Sequence, residues 1–128
     1  MKILGIGVDI VDNKRLRKLI KDKKFINRTF GKKEIELSKR FKDKVNYFAK
    51  RFAAKEALSK ALGTGFRYNL NFKDIEIIND NLGKPYYLNS AKIDQFIKKI
   101  YKASKYNLHL SISDEKEYSM AFTILQKK

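Results

Sequence analysis

The sequence predicts an α+β fold: a largely antiparallel sheet with one long central helix and smaller helices. Three observations carry that expectation. A run of mostly β-branched apolar residues opens the chain. A long alanine-rich stretch in the middle spaces its large apolar residues as a helix does. After residue 75 the period returns to two, on either side of a turn-rich segment that holds the only proline, Pro85.

In order along the chain, residues 3–11 read as a buried strand, because Ile3, Leu4, Ile6, Val8, Ile10 and Val11 are apolar. Residues 12–22 read as a basic helix capped by Asp12 or Asn13. Leu16, Leu19 and Ile20 form its apolar face, and Lys14, Arg15, Arg17, Lys18 and Lys21 face solvent. Residues 25–40 are mixed, with a short helix near Lys32–Lys39. Residues 45–62 give the strongest helix. Phe48, Phe52, Leu58 and Leu62 form a stripe, while Ala49, Ala53, Ala54, Ala57 and Ala61 favour helix; Gly63-Thr64-Gly65 ends it.

Ile75–Ile78 and Tyr86–Leu88 then predict a hairpin around Asn79–Pro85, followed by a helix over 91–103 with Ile93, Phe96, Ile97 and Ile100 inward. Residues 106–113 alternate, with Leu108, Leu110 and Ile112 on one side and His109, Ser111 and Ser113 on the other. Tyr118–Leu125 is the last strand.

The length of 128 residues suits a single domain over 1–128, and there is no Gly/Ser linker, repeat or low-complexity tail. No stretch approaches the roughly 20 apolar residues that span a bilayer. The opening MKILGIGVDIV contains Asp9 and lacks a small-residue cleavage site, which makes it a poor signal peptide, so a cytoplasmic protein is expected. Absent cysteine excludes disulfides, thiolate metal sites and a cysteine nucleophile. Thirty Lys and Arg against fourteen Asp and Glu give +16, which draws anionic partners: nucleic acid, an anionic membrane, or an acidic protein with a phosphate-rich ligand.

Several residues stand out chemically. Asp9 interrupts an apolar strand; an ionised carboxylate there needs a partner or a metal, unless it has reached solvent at a strand end or caps the next helix. Glu56 and Lys60, four apart, share a helical face bordered by Ala49 and Ala53, either as an ordinary exposed pair or beside room for a ligand. His109 is the only histidine, which argues against zinc and against a Ser-His-Asp triad. Gly5-x-Gly7 lacks the third glycine of a dinucleotide fingerprint, since position 10 is Ile. Gly63 and Gly65 either cap the helix or let backbone N–H groups approach a phosphate. Asp9 and Glu56 together would suit Mg²⁺, which takes one or two protein carboxylates and fills its shell with water and phosphate oxygens.

Four blocks carry a resemblance. GIGVDIV at 5–11 followed by Arg15, FAKRFAAKEALSKALGTG at 48–65, NLGKPYY at 81–87 and HLSISDEKEYSMAF at 109–122 resemble, in order and spacing, the signatures of the holo-acyl-carrier-protein synthases. These are short phosphopantetheinyl transferases, and the resemblance covers nearly the whole chain.

The resemblance implies transfer of phosphopantetheine from coenzyme A to a serine of an acidic acyl-carrier protein, for fatty acid biosynthesis, with release of adenosine 3′,5′-bisphosphate. It implies Mg²⁺ held by Asp9 and Glu56. Lys60 would contact phosphate and assist catalysis with Glu56. Glu56, acting through a water on the metal, is the preferred base. Arg51, Gly63, Gly65, His109 and Ser111 would bind the nucleotide end or line the cleft, and Arg15 would meet the carrier protein's acidic helix. Family members are trimers with sites between subunits, and the positive charge would then steer two anionic substrates. One departure is Asp114, where the family often has a second histidine. No nucleic-acid or membrane partner is expected on this reading. The alternatives are a basic nucleic-acid-binding module, which lacks any RNP, zinc-finger or helix-turn-helix signature, and a catalytically dead carrier-protein scaffold.

Overall fold

A computed structural model describes residues 1–63, 65 and 69–128. Thr64, the middle of the predicted Gly63-Thr64-Gly65 turn, lies outside the described residues. The element order is β1 (Lys2–Asp12), α1 (Asn13–Leu19), α2 (Lys23–Thr29), α3 (Lys32–Ser38), α4 (Lys44–Leu62), β2 (Ile77–Asn79), β3 (Pro85–Tyr87), α5 (Ala91–Tyr101), β4 (Tyr106–Asp114) and β5 (Tyr118–Lys127). A short 3₁₀ turn at Phe72–Asp74 precedes β2.

The expected α+β class holds, with all strand pairs antiparallel, but the strands divide into two sheets. β1, β5 and β4 form one in that order, and β2–β3 form a separate hairpin. Among the contacts that join the hairpin to the rest is the Tyr87 side chain. The buried Tyr87 hydroxyl donates to Ala54 O at 2.7 Å and lies 2.6 Å from Thr123 Oγ1, tying β3 to α4 and β5 at once.

Short polar caps set the helices. Asp12 accepts from the Lys14 N–H and Asp22 from the Lys24 N–H, both at 2.9 Å; α1 ends at Leu19, short of the expected residue 22, and the Asp22 cap starts a further helix, α2, that the sequence did not separate from the mixed stretch. Asp43 caps α4 through the Asn46 N–H, and Gly63 ends α4 at φ +79°, a left-handed conformation that glycine adopts without a Cβ penalty.

α4 is the core of the molecule. Ala49, Ala53, Ala54, Ala57 and Ala61 are all buried, so Ala49 and Ala53 do not border an open ligand face as the sequence suggested; they pack inside the protein. The sheet reaches α4 because β1 has glycines at the crossing. A Cβ on Gly5 would sit 1.8 Å from Ala61 O, and one on Gly7 1.9 Å from Ala57 O. The G-x-G of the first strand thus serves backbone-to-backbone packing of strand on helix.

β1 is buried on that one side only. Ile6, Val8 and Ile10 are exposed, at 60%, 49% and 63%, against the expectation of a fully buried strand. They stand opposite Ile124, Phe122 and Met120 of β5, and β4 adds His109, Ser111 and Ser113 to the same face. An apolar sheet surface therefore looks outward, away from α4. Among the described residues no helix is long and apolar enough to cross a membrane.

Candidate active site

Register determines where Asp9 points. Gly7, Asp9 and Val11 alternate toward α4, while Val8 and Ile10 face out. The Asp9 carboxylate is 16% exposed and meets Lys60 of α4, whose ammonium donates to Asp9 Oδ1 at 3.2 Å and to Val8 O at 2.9 Å. Asp9 is thus neither a helix cap nor a strand-end group in open water, and Lys60 reaches across to β1.

Glu56, one turn before Lys60, shares this neighbourhood. Its half-buried carboxyl is pushed above the usual range, first by burial and then by the negative charge of Asp9; Arg15 and Lys60 pull it back. Two carboxylates and two cations from β1, α1 and α4 therefore act on one another, which the spacing in the sequence could not establish. Two carboxylates that repel in a half-buried place favour a cation between them, and oxygen ligands of this number suit Mg²⁺. Among the described residues no group of three or more His, Cys, Asp and Glu forms a denser metal site.

Beside Glu56 opens a cleft of about 640 Å³, lined by Arg15, Phe25, Arg28, Phe52, Phe72 and Lys73 among others. Its floor is aromatic and its rim cationic. Phe52 and Phe72 stack at 5.8 Å, and the Arg15 guanidinium lies 5.6 Å from the Phe52 ring centre. Such a surface suits an acidic partner that also presents apolar side chains.

Arg51 occupies a different hollow, of about 180 Å³, with Lys50, Asn79, Gly83, Pro85 and Asp114. The buried guanidinium lies 3.7 Å from the Tyr47 ring centre and donates to Asn79 Oδ1 at 2.6 Å and Tyr47 O at 3.2 Å. Its Nε has no hydrogen-bond partner among the described residues. Asp114 also lines this hollow and accepts from Asn46 Nδ2 at 2.8 Å.

His109 and Ser111 lie elsewhere again, on the outward sheet face, where His109 Nε2 is 3.0 Å from Gln126 Oε1. Gly63 and Gly65, at φ +79° and +69°, follow Lys60 past the end of α4. The chain by itself thus brings together Asp9, Glu56, Lys60 and Arg15. Arg51, and His109 with Ser111, stand apart from them.

Sequence reasoning missed the aromatic cleft floor and a fully buried ion pair, Lys55 with Glu34 at 2.6 Å. The signal for Lys55 was present. It falls on the stripe of Phe48, Phe52, Leu58 and Leu62, where a charge has no place without a partner.

With this geometry in hand, comparison with known proteins is direct. Residues 5–123 match the model of the 4′-phosphopantetheinyl transferase superfamily. The chain is 59% identical over 128 residues to the holo-[acyl-carrier-protein] synthase of Pelagibacter ubique, covering all of both chains. It is 45% identical to that of Wolbachia pipientis, covering 96% of this chain and 97% of the relative. Among solved structures, the holo-[acyl-carrier-protein] synthase of Neisseria meningitidis superposes with a TM-score of 0.88 at 38% identity, over 98% of this chain and 99% of that one. The Bacillus anthracis synthase, solved in complex with CoA (3′,5′-ADP), superposes with a TM-score of 0.82 at 36% identity over all of both chains.

Proposed function

This chain belongs to the 4′-phosphopantetheinyl transferase superfamily, among its holo-[acyl-carrier-protein] synthases, and we propose that its chemistry takes place at the cluster of Asp9, Glu56 and Lys60. It is an enzyme that moves 4′-phosphopantetheine from coenzyme A to a serine of apo-acyl-carrier protein, giving holo-acyl-carrier protein and adenosine 3′,5′-bisphosphate. The relatives and structures named above are all synthases, which leaves the nucleic-acid-binding alternative without support.

The observation that carries the site assignment is the ion pair of Asp9 with Lys60 at 3.2 Å, one helical turn from Glu56, whose carboxyl is pushed above the usual range by burial and by the charge of Asp9. Asp9 and Glu56 are the ligands proposed for Mg²⁺, which when bound supplies positive charge to the pyrophosphate and to the leaving bisphosphate. Lys60 sits where it can turn from Asp9 to a phosphate oxygen. Glu56, with its proton affinity raised by burial and by Asp9, is a competent base for the serine proton, taken through an intervening water. The serine oxygen then forms its bond to the β-phosphorus of coenzyme A, and the bond to the bisphosphate oxygen breaks. Positioning and charge stabilisation carry most of such a transfer.

The nucleotide end is assigned to Arg51, Gly63, Gly65, His109 and Ser111, and the carrier protein's acidic helix to Arg15 at the rim of the aromatic cleft. His109 and Ser111 lie on the outward apolar face with Ile6, Val8, Ile10, Met120 and Phe122. An exposed apolar face of this kind supports a homotrimer, in which that face is covered by neighbouring subunits and the site is completed between two of them. Residues 1–128 act as a single domain, in the cytoplasm, in fatty acid biosynthesis.

Asp9→Asn separates an enzyme from a carrier-protein scaffold. It should abolish Mg²⁺-dependent transfer while carrier-protein binding persists. Transfer at the native rate would refute the metal assignment.

A further inference from the structure

Lys55 is fully buried, yet none of its bonds reaches the Asp9–Glu56–Lys60 cluster. Its ammonium donates to Glu34 Oε1 at 2.6 Å, to Phe72 O at 2.9 Å and to Ile75 O. Phe72 and Ile75 bracket the 3₁₀ turn, so one side chain grips both ends of it. Glu34 is held in turn: its carboxylate accepts from the Gly31 N–H and the Ile77 N–H, both at 3.0 Å, and the Tyr47 hydroxyl donates to its carbonyl at 2.6 Å. Glu76, beyond the same turn, accepts from the N–H groups of Lys33 and Glu34 at 2.9 and 3.1 Å. The start of α3, the middle of α4 and residues 72–77 are therefore one hydrogen-bonded unit.

That unit abuts the active site. Asn71, Phe72 and Lys73 line the same cleft as Arg15 and Glu56, and Phe72 stacks on Phe52. Lys55 precedes Glu56 on the same turn of α4, so its anchorage fixes both the wall and the helix that carries Glu56. A buried ion pair is a poor source of stability, since desolvation offsets the attraction; its more general use is to select one arrangement among several.

We infer that Lys55, through its bonds to Phe72 O and Ile75 O, is a positioning residue that holds residues 72–75 against α4, and so sets the shape of the cleft that the carrier protein enters. This rests on the proposed function, in which the carrier protein docks at that cleft.

Two variants isolate the wall bonds. Glu34→Gln keeps one acceptor oxygen for Gly31 and Lys55 and leaves the bonds from Lys55 to Phe72 O and Ile75 O; its loss of the acceptor for the Ile77 N–H is common to both variants. Glu34→Gln/Lys55→Met removes those bonds without leaving a buried charge unpaired. With Glu34→Gln the KM for carrier protein should stay within about threefold of native; in the double variant it should rise about tenfold or more, with the KM for coenzyme A unchanged in both. A folded double variant with native carrier-protein KM, or an equal rise in both variants, overturns the inference. Hydrogen exchange in the unmodified chain reads the same point without any substitution. Amides of Ile75 and Ile77 exchanging as slowly as those of α4 support a fixed wall, and exchange as fast as at the Asp80–Gly83 turn overturns it. Failure of the unmodified chain to transfer at all would instead count against the proposed function.

Discussion

Glu56 shows how much one side chain's surroundings decide. Half-burial and the neighbouring Asp9 raise its affinity for a proton, so protons would compete with the Mg²⁺ proposed for the same oxygens. As pH falls through that raised value, the carboxyl is neutralised earlier than a free glutamate would be. The Mg²⁺ concentration for half-maximal transfer should therefore climb as pH is lowered from about 8 toward 5, and a flat profile would remove Glu56 from the ligand set. Glu56→Ala should cut transfer about a hundred- to a thousandfold with little change in thermal stability, because it deletes a repelled charge. Arg15→Glu should raise the KM for carrier protein far more than that for coenzyme A; equal changes would move the docking surface off α1. The residue types proposed for these roles were legible in the sequence. That Asp9 and Lys60 touch was not, because 51 positions separate them and only the strand–helix crossing joins them.

The crossing of β1 on α4 belongs to the next scale. Carbonyl oxygens of Ala57 and Ala61 stand where the Cβ atoms of residues 7 and 5 would be, so no rotamer change relieves a larger residue there. Gly7→Ala should cost about 3 kcal/mol, the upper range for overpacking, and lower the melting temperature on the order of 10 °C. It should also separate Asp9 from Lys60 and depress transfer even where the chain stays folded. Thermal unfolding with parallel assays checks both, and a native melting temperature would refute the packing argument. The long elements were legible here. α4, α5, β4 and β5 begin and end within about two residues of their sequence-based bounds, since periodicity and caps define them locally. The separation of the β2–β3 hairpin from the main sheet was not, because strand periodicity does not say which strands pair.

At the scale of the whole molecule, charge and the outward sheet face dominate. A net charge of +16 steers anionic substrates, and salt screens that attraction. The KM for carrier protein should rise several-fold between about 0.05 and 0.5 M salt, while flat dependence would remove steering from the account. Ile10→Asp places a charge amid Val8, Met120 and Phe122. It should yield a smaller particle in light scattering with secondary structure intact, and lose transfer with it, if sites form between subunits. A native-sized, fully active variant would contradict that arrangement. A mostly apolar strand reads as buried from its residues alone; that Ile6, Val8 and Ile10 face away from α4 follows only from the register of β1 and its crossing of the helix.

Mass spectrometry of an apo-acyl-carrier protein, after incubation with this chain, coenzyme A and Mg²⁺, tests transfer and metal dependence together. The expected result is a gain of one phosphopantetheine mass on a single serine, lost with EDTA and lost with Glu56→Ala. No mass gain across several carrier proteins, or a gain indifferent to both EDTA and Glu56→Ala, would contradict it.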